Sequence, residues 1–181
     1  MRLPLVTATL VFLNLFAYQA ELANGGLIVC EQYGLIPAHP TLGAMLTALF
    51  LHDPTSLWHL GGNMLCLVMF GFAVERVLGS VRFTLLYFAA GILGALFHVA
   101  VNPASTDPLV GASGAIFGVL AVSAVLYPRT IGFVASYAAF NVACLLIGVG
   151  GPVSFGDHVG GFVAGFLFLA ITRPTRNLSA A

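Results

Sequence analysis

Six apolar runs, at roughly 4–20, 57–74, 83–101, 112–127, 130–149 and 158–172, constrain what this chain can fold into more than any other feature. A helix that crosses a bilayer needs about 20 apolar residues, within a range of about 17–25. By that measure the fourth and sixth runs are short and the first is marginal. Composition places the chain in the same class. Of its 181 residues 60% are hydrophobic and 7% are charged, with mean hydropathy +1.04, whereas a soluble domain carries about 25% charged residues. The expected fold class is an all-α polytopic membrane protein with six transmembrane helices, forming one domain over residues 1–181. A formal net charge of +0 gives no footprint for nucleic acid.

The arginines set the expected orientation. Arg2 precedes the first run, and Arg76 and Arg82 separate the second from the third. Arg129 separates the fourth from the fifth, and Arg173 and Arg176 follow the sixth. With six spans all of them fall on one face, which the positive-inside rule makes cytoplasmic, together with both termini. Glu21, Glu31, Asp53, Asp107 and Asp157 fall on the other face. The first run reads as a retained helix, because Tyr18 stands where a leader needs a small residue and Pro4 and Asn14 interrupt it. The segment from Glu21 to Ser56 is long, and its apolar piece Leu42–Leu51 is too short to span; it lies in the interface or re-enters partway. The short flanks suit a bacterial plasma membrane. Cys30, Cys66 and Cys144 form no CxxC pattern, so no disulfide framework or zinc site is expected, and no cofactor or metal.

Polar residues inside such runs carry the chemistry. Ser113 stands in Gly111-Ala-Ser-Gly-Ala-Ile-Phe-Gly118, at the start of the fourth run. His59 and Asn63 are four apart in Trp58-His-Leu-Gly-Gly-Asn63, hence on one helical face. His158 opens the sixth run in Gly156-Asp-His-Val-Gly-Gly161. Each has a bland reading: small residues let membrane helices pack closely, and His59 and Asn63 alone make interhelical hydrogen bonds. Taken together they suggest more. The fourth and sixth runs travel in the same direction, and both carry small-xxx-small pairs, Gly114 with Gly118 and Gly161 with Gly165. If those faces meet in register, Ser113 and His158 differ in height by roughly 3 Å at about 1.5 Å per residue. That is a nucleophile beside a base. His59, Asn63 and the backbone N–H of Ser113, at a helix N-terminus, supply donors for an oxyanion.

With these residues in hand, the chain resembles the rhomboid family of intramembrane serine proteases. The resemblance rests on Leu49-Phe-Leu-His52, His59-Leu-Gly-Gly-Asn63, Gly71 with Glu75-Arg76 and Gly79, Gly111-Ala-Ser-Gly114, and His158-Val-Gly-Gly161 with Gly165. It implies a six-helix bundle with a membrane-embedded first loop. It implies Ser113 as nucleophile and His158 as base, in a dyad with no third acid. His59, Asn63 and the Ser113 amide then resemble the oxyanion hole, with Gly111, Gly114, Phe117 and Gly161 in support. The implied partners are transmembrane protein substrates and the lipid bilayer. Many relatives carry Trp-Arg in the first loop where this chain has Gly43-Ala44, and a small residue before the dyad histidine where it has Asp157. Adjacent helix residues point about 100° apart, so a capping or exposed role is expected for Asp157. The alternative function is a proteolytically inactive relative that binds membrane clients. A transporter built on broken helices fits less well, because no charged residue lies at mid-membrane depth and no repeat is visible. Metalloprotease and aspartyl chemistry are set aside, for want of His-Glu-x-x-His and of a second intramembrane aspartate.

Overall fold

A computed structural model describes residues 4–148 and 154–172. Arg2, Val149, Arg173 and Arg176 of the sequence reading lie outside these residues. Each of the six apolar runs is helical, because in lipid a segment must satisfy its own backbone groups. The spans are α1 (Leu5–Ala23), α4 (Leu57–Cys66) continuing through a π-turn into α5 (Phe72–Leu78), α6 (Ser80–Val101), α7 (Ser113–Leu126), α8 (Ile131–Leu146) and α9 (Phe155–Thr172). Five of these segments are long and apolar enough to cross a membrane, α8 being counted with the 3-10 turn Pro128–Thr130 that leads into it, and α7 is shorter. The first loop holds two short helices, α2 (Leu27–Tyr33) and α3 (Leu42–Ala48). The second of these lies within the apolar piece Leu42–Leu51 singled out in the sequence, and the first coincides with no such piece.

The short helix α7 is the centre of the bundle. It is apolar all round and buried along most of its length, from Gly114 to Ser123 without a break, as expected for a helix with neighbours on every side. Small residues let α6 and α9 approach it. A Cβ added at Gly161 would collide with the Gly114 carbonyl oxygen, and one at Gly165 with the Gly118 oxygen. One at Gly118 would strike Ala90 of α6, and one at Gly160 would lie 2.5 Å from the Phe97 Cβ. The register expected between the two glycine pairs is therefore the observed one, backbone against backbone.

Two polar ties complete the frame. Buried Glu75 accepts hydrogen bonds from the Val6 and Thr7 backbone N–H groups (3.0 and 2.7 Å) and from the Thr7 and Ser80 hydroxyls (2.7 and 2.8 Å). A buried carboxylate is costly unless its lone pairs are used, and here it also caps the positive end of α1. Tyr127 donates to the Ala73 carbonyl (3.0 Å), which brings the end of α7 to α5. Arg76, Arg82 and Arg129 thus cluster at the end of the bundle away from His59 and Ser113.

The first loop is held by pairing rather than by Gly43-Ala44. Leu35 and Leu109 exchange backbone hydrogen bonds of 3.0 and 2.8 Å, Ala38 donates to Ser105 (3.0 Å), and Gly111 donates to Ala48 (2.8 Å). Leu35, Met45, Ala48, Ala95 and Leu109 form a small core beneath it. Gly43 is exposed, and a Cβ there would meet only the Thr41 hydroxyl, at an ordinary contact distance of 3.9 Å.

These contacts set an expected contrast. Gly161→Ala should destabilise the detergent-solubilised protein by about 1–3 kcal/mol, the usual cost of overpacking. Gly43→Ala should stay within about 0.5 kcal/mol of wild type, as a surface change does. Thermal melting of the two variants checks it, and equal melting would contradict the backbone contact.

Candidate active site

Three helix starts and one loop meet at a cavity of about 360 Å³ whose walls include His59, Asn63, Ser113, Phe117, Tyr137 and His158. A second, more polar cavity of about 680 Å³ adjoins it and shares Asp53, His59, Val110 and Ser154 as walls. The structure thus gathers all four polar residues singled out in the sequence around one space.

Ser113 is the first residue of α7 and is half-buried. The turn before it depends on Gly111, whose φ of +127° disfavours any side chain. A Cβ there would also lie 2.8 Å from His59 Nε2. Gly111 therefore gives both the turn and the clearance that lets the imidazole reach the α7 N-terminus. Helix starts leave backbone N–H groups without intrahelical partners and carry positive dipole charge.

His59 has an assignable tautomer. Its Nδ1 lies 3.2 Å from the Asp53 backbone nitrogen, which can only donate. Nδ1 is therefore the acceptor, and in the neutral ring Nε2 bears the hydrogen and points past Gly111. Asn63, one turn on, is buried and spends one Nδ2 hydrogen on the His59 carbonyl (2.9 Å). Its second Nδ2 hydrogen is not used by that bond. Both side chains are donors beside the start of α7.

His158 lies flat on Phe117, with centroids 4.3 Å apart and planes 9° apart. Phe117 is four residues after Ser113 on α7, so the stack holds the imidazole beside the serine's own face. Among the described residues, however, Ser113 and His158 do not form the hydrogen bond expected from sequence. The Ser113 hydroxyl instead donates to Asp157 Oδ2 at 3.4 Å, and His158 Nδ1 bonds to Asn141 Oδ1 at 2.6 Å. The reason is helical phase. Asp157 lies one turn before Gly161, about 40° from it around the helix, and its carboxyl sits over Gly114. His158 is turned to the other side. The expected capping or exposed role of Asp157 is thus corrected. Its backbone N–H is capped by Ser154 Oγ (3.3 Å), but its side chain is buried against Gly114 and Gly94. The signal for this was present as the i, i+4, i+8 spacing of Asp157, Gly161 and Gly165. Asn141 and Tyr137 were missed because they interrupt a run read only for its length.

Behind the site lies a cluster that sequence reasoning left as an interfacial loop. Buried Glu21 accepts from Cys30 Sγ (2.7 Å) and from the His52 backbone N–H (3.1 Å). The His52 ring is fully buried, meets the His59 ring edge-on at 5.2 Å, and finds no protein hydrogen-bond partner at either nitrogen among the described residues. Burial, with the nearby His59 adding to it, pushes its pKa down to about 3. Burial also raises the Cys30 thiol, with Glu21 contributing.

Fold and cavity together define a polytopic membrane bundle that holds a hydroxyl, two imidazoles and an amide around one pocket. Comparison with known proteins narrows the class. The Rhomboid domain model matches residues 40–175. The chain is 40% identical over 141 residues to Rhomboid protease GluP of Bacillus subtilis (strain 168), which covers 70% of this chain and 25% of that protein. It is 32% identical over 143 residues to the mitochondrial Rhomboid protein 1 of Saccharomyces cerevisiae (strain ATCC 204508 / S288c), covering 69% and 40%. It is 31% identical over 158 residues to the Putative rhomboid protease YdcA of Bacillus subtilis (strain 168), covering 80% and 75%. The alignments to the first two span less than half of those proteins' length. The chain belongs to the rhomboid family, whose members are generally intramembrane serine proteases.

His52 predicts an acid sensitivity. Its pKa is lower in the folded protein (about 3) than its ordinary value of 6.5, so the unfolded chain binds the extra proton as pH falls. Stability is full above 6.5 and declines below it, by at most about 1.4 kcal/mol per pH unit. The melting temperature should fall between pH 7 and pH 5, and fall less steeply in His52→Leu. Equal slopes in the two proteins would assign the effect to another group.

Proposed function

We propose that this chain is an intramembrane serine protease that hydrolyses peptide bonds in or near transmembrane segments of membrane proteins. The observation that carries the reading is the single cavity shared by Ser113, His158, His59 and Asn63 at the N-terminus of a helix sunk between its neighbours. Ser113 Oγ attacks the peptide carbonyl carbon while its proton passes to His158. The 3.4 Å contact to Asp157 is long for an O–H···O bond, and rotation about χ1 re-aims the hydroxyl. Catalytic hydrogen bonds are often loose before substrate arrives. The oxyanion accepts from His59 Nε2–H, the second hydrogen of Asn63 Nδ2 and the Ser113 backbone N–H. The C–N bond then breaks, His158 returns the proton to the leaving amine, and water releases the acyl group by the same route in reverse. No metal or cofactor enters. The adjoining polar cavity supplies a path for that water.

A helical substrate hides its carbonyls in its own hydrogen bonds, so the scissile stretch must be one that unwinds. The end bearing Arg76, Arg82 and Arg129 faces the cytoplasm by the positive-inside rule, and the site opens to the opposite side. A bacterial plasma membrane is the location proposed with this reading.

Ser113→Ala in purified protein should abolish cleavage of a single-span substrate and labelling by a fluorophosphonate. Cleavage that survives would refute the nucleophile. Wild-type protein that never reacts with the fluorophosphonate would instead support the inactive, client-binding alternative. Asn63→Ala should lower kcat by about 10²–10³, as loss of one oxyanion donor does in other enzymes, with KM little changed. A rise in KM at constant kcat would assign Asn63 to substrate binding.

A further inference from the structure

We propose that Asn141, on α8, is a positioning residue that fixes which nitrogen of His158 carries the proton. The inference rests on the protease reading above, in which His158 is the base. Asn141 is only 2% exposed. An amide at this depth is costly unless both of its ends are bonded. Its Nδ2 donates to the Tyr137 carbonyl at 2.8 Å. A carbonyl only accepts, so the amide nitrogen must face Tyr137, and a flipped side chain would set oxygen against oxygen. The remaining end, Oδ1, therefore faces His158 Nδ1 at 2.6 Å. An amide oxygen also only accepts, so Nδ1 bears the hydrogen and Nε2 of the neutral ring keeps its lone pair.

That lone pair is what general-base chemistry needs. With Nδ1 occupied, Nε2 is the nitrogen that takes the Ser113 proton. The imidazolium so formed holds its Nδ1–H against the same oxygen. The ring is fixed on its face by Phe117 at 4.3 Å and on its edge by Phe155 at 6.4 Å. Stacking orients the plane but does not choose a tautomer, because a π-face does not distinguish the two nitrogens. Asn141 makes that choice. Asp157, the carboxylate next in sequence, bonds to Ser113 instead of to the imidazole. The third group behind the base is thus an uncharged amide from a different helix.

The test begins on unmodified protein. Nitrogen-15 NMR of histidine-labelled protein in micelles, with the His158 signals assigned by their loss in His158→Gln, should show Nδ1 protonated and Nε2 bare. A protonated Nε2 would overturn the inference, whatever the variants do. Asn141→Leu removes the acceptor and should show both tautomers. Its kcat should fall about 10- to 100-fold, within the range that general-base catalysis contributes, while KM holds. Asn141→Asp keeps an acceptor oxygen and should recover most of the loss. Equal impairment of the two variants would mean that the residue only packs. If Ser113→Ala still cleaves, the protease reading fails; the tautomer measured in the resting protein is judged separately from that result.

Discussion

The contact of α7 with α9 through bare backbone is the constraint on which the rest of this structure depends. Side chains normally hold helix axes 8–10 Å apart, and glycine removes that spacing. Gly161 against Gly114 and Gly165 against Gly118 bring carbonyl oxygens to within touching distance of opposing α-carbons. Lipid offers no hydrophobic drive between helices, so such close van der Waals contact is a main source of cohesion. The same contact sets the height and phase of everything at the two helix starts. It puts Asp157 on the seam, His158 beside it over Phe117, and Ser113 at the lip of the cavity.

Around that seam two histidines are held in opposite states by single hydrogen bonds from rigid neighbours. The Asp53 backbone N–H points at His59 Nδ1 and leaves a donor on the far nitrogen. The Asn141 oxygen accepts from His158 Nδ1 and leaves an acceptor on the far nitrogen. One ring is thereby suited to stabilise negative charge and the other to receive a proton. Neither assignment needs a charged partner, which suits a site within lipid. The two bonds differ in their footing. Asp53 belongs to the loop after α3, tied down by the Glu21 and Leu35–Leu109 pairings. Asn141 rides on α8, the least buried of the long spans.

How much of this was legible in the sequence depended on periodicity. The six helices followed from the length of their apolar runs, and the α7–α9 register from two pairs of glycines spaced by four. His59 and Asn63 shared a face for the same reason. Asp157 was read by its neighbour in sequence, His158, when its proper companions were Gly161 and Gly165 on the same row. That substitution of adjacency for phase produced the one misplaced side chain of the site. Asn141 carried no motif, and its role depends on where the Tyr137 carbonyl lies, which only a folded helix fixes. The helix α2 and the π-turn at Leu67–Gly71 were likewise illegible, since neither changes the hydrophobic pattern. The first loop's hold on the bundle comes from backbone pairing that residue identity does not encode.

Glu75 has a consequence beyond fastening α1. Its carboxylate binds the first turn of that helix through Val6 and Thr7, beside Ser80 at the α5–α6 corner. The start of α1 is therefore pinned to the arginine-bearing end, a full span away from the cavity mouth. A change at Glu75 would therefore act on the anchoring of α1 and not directly on the cavity walls.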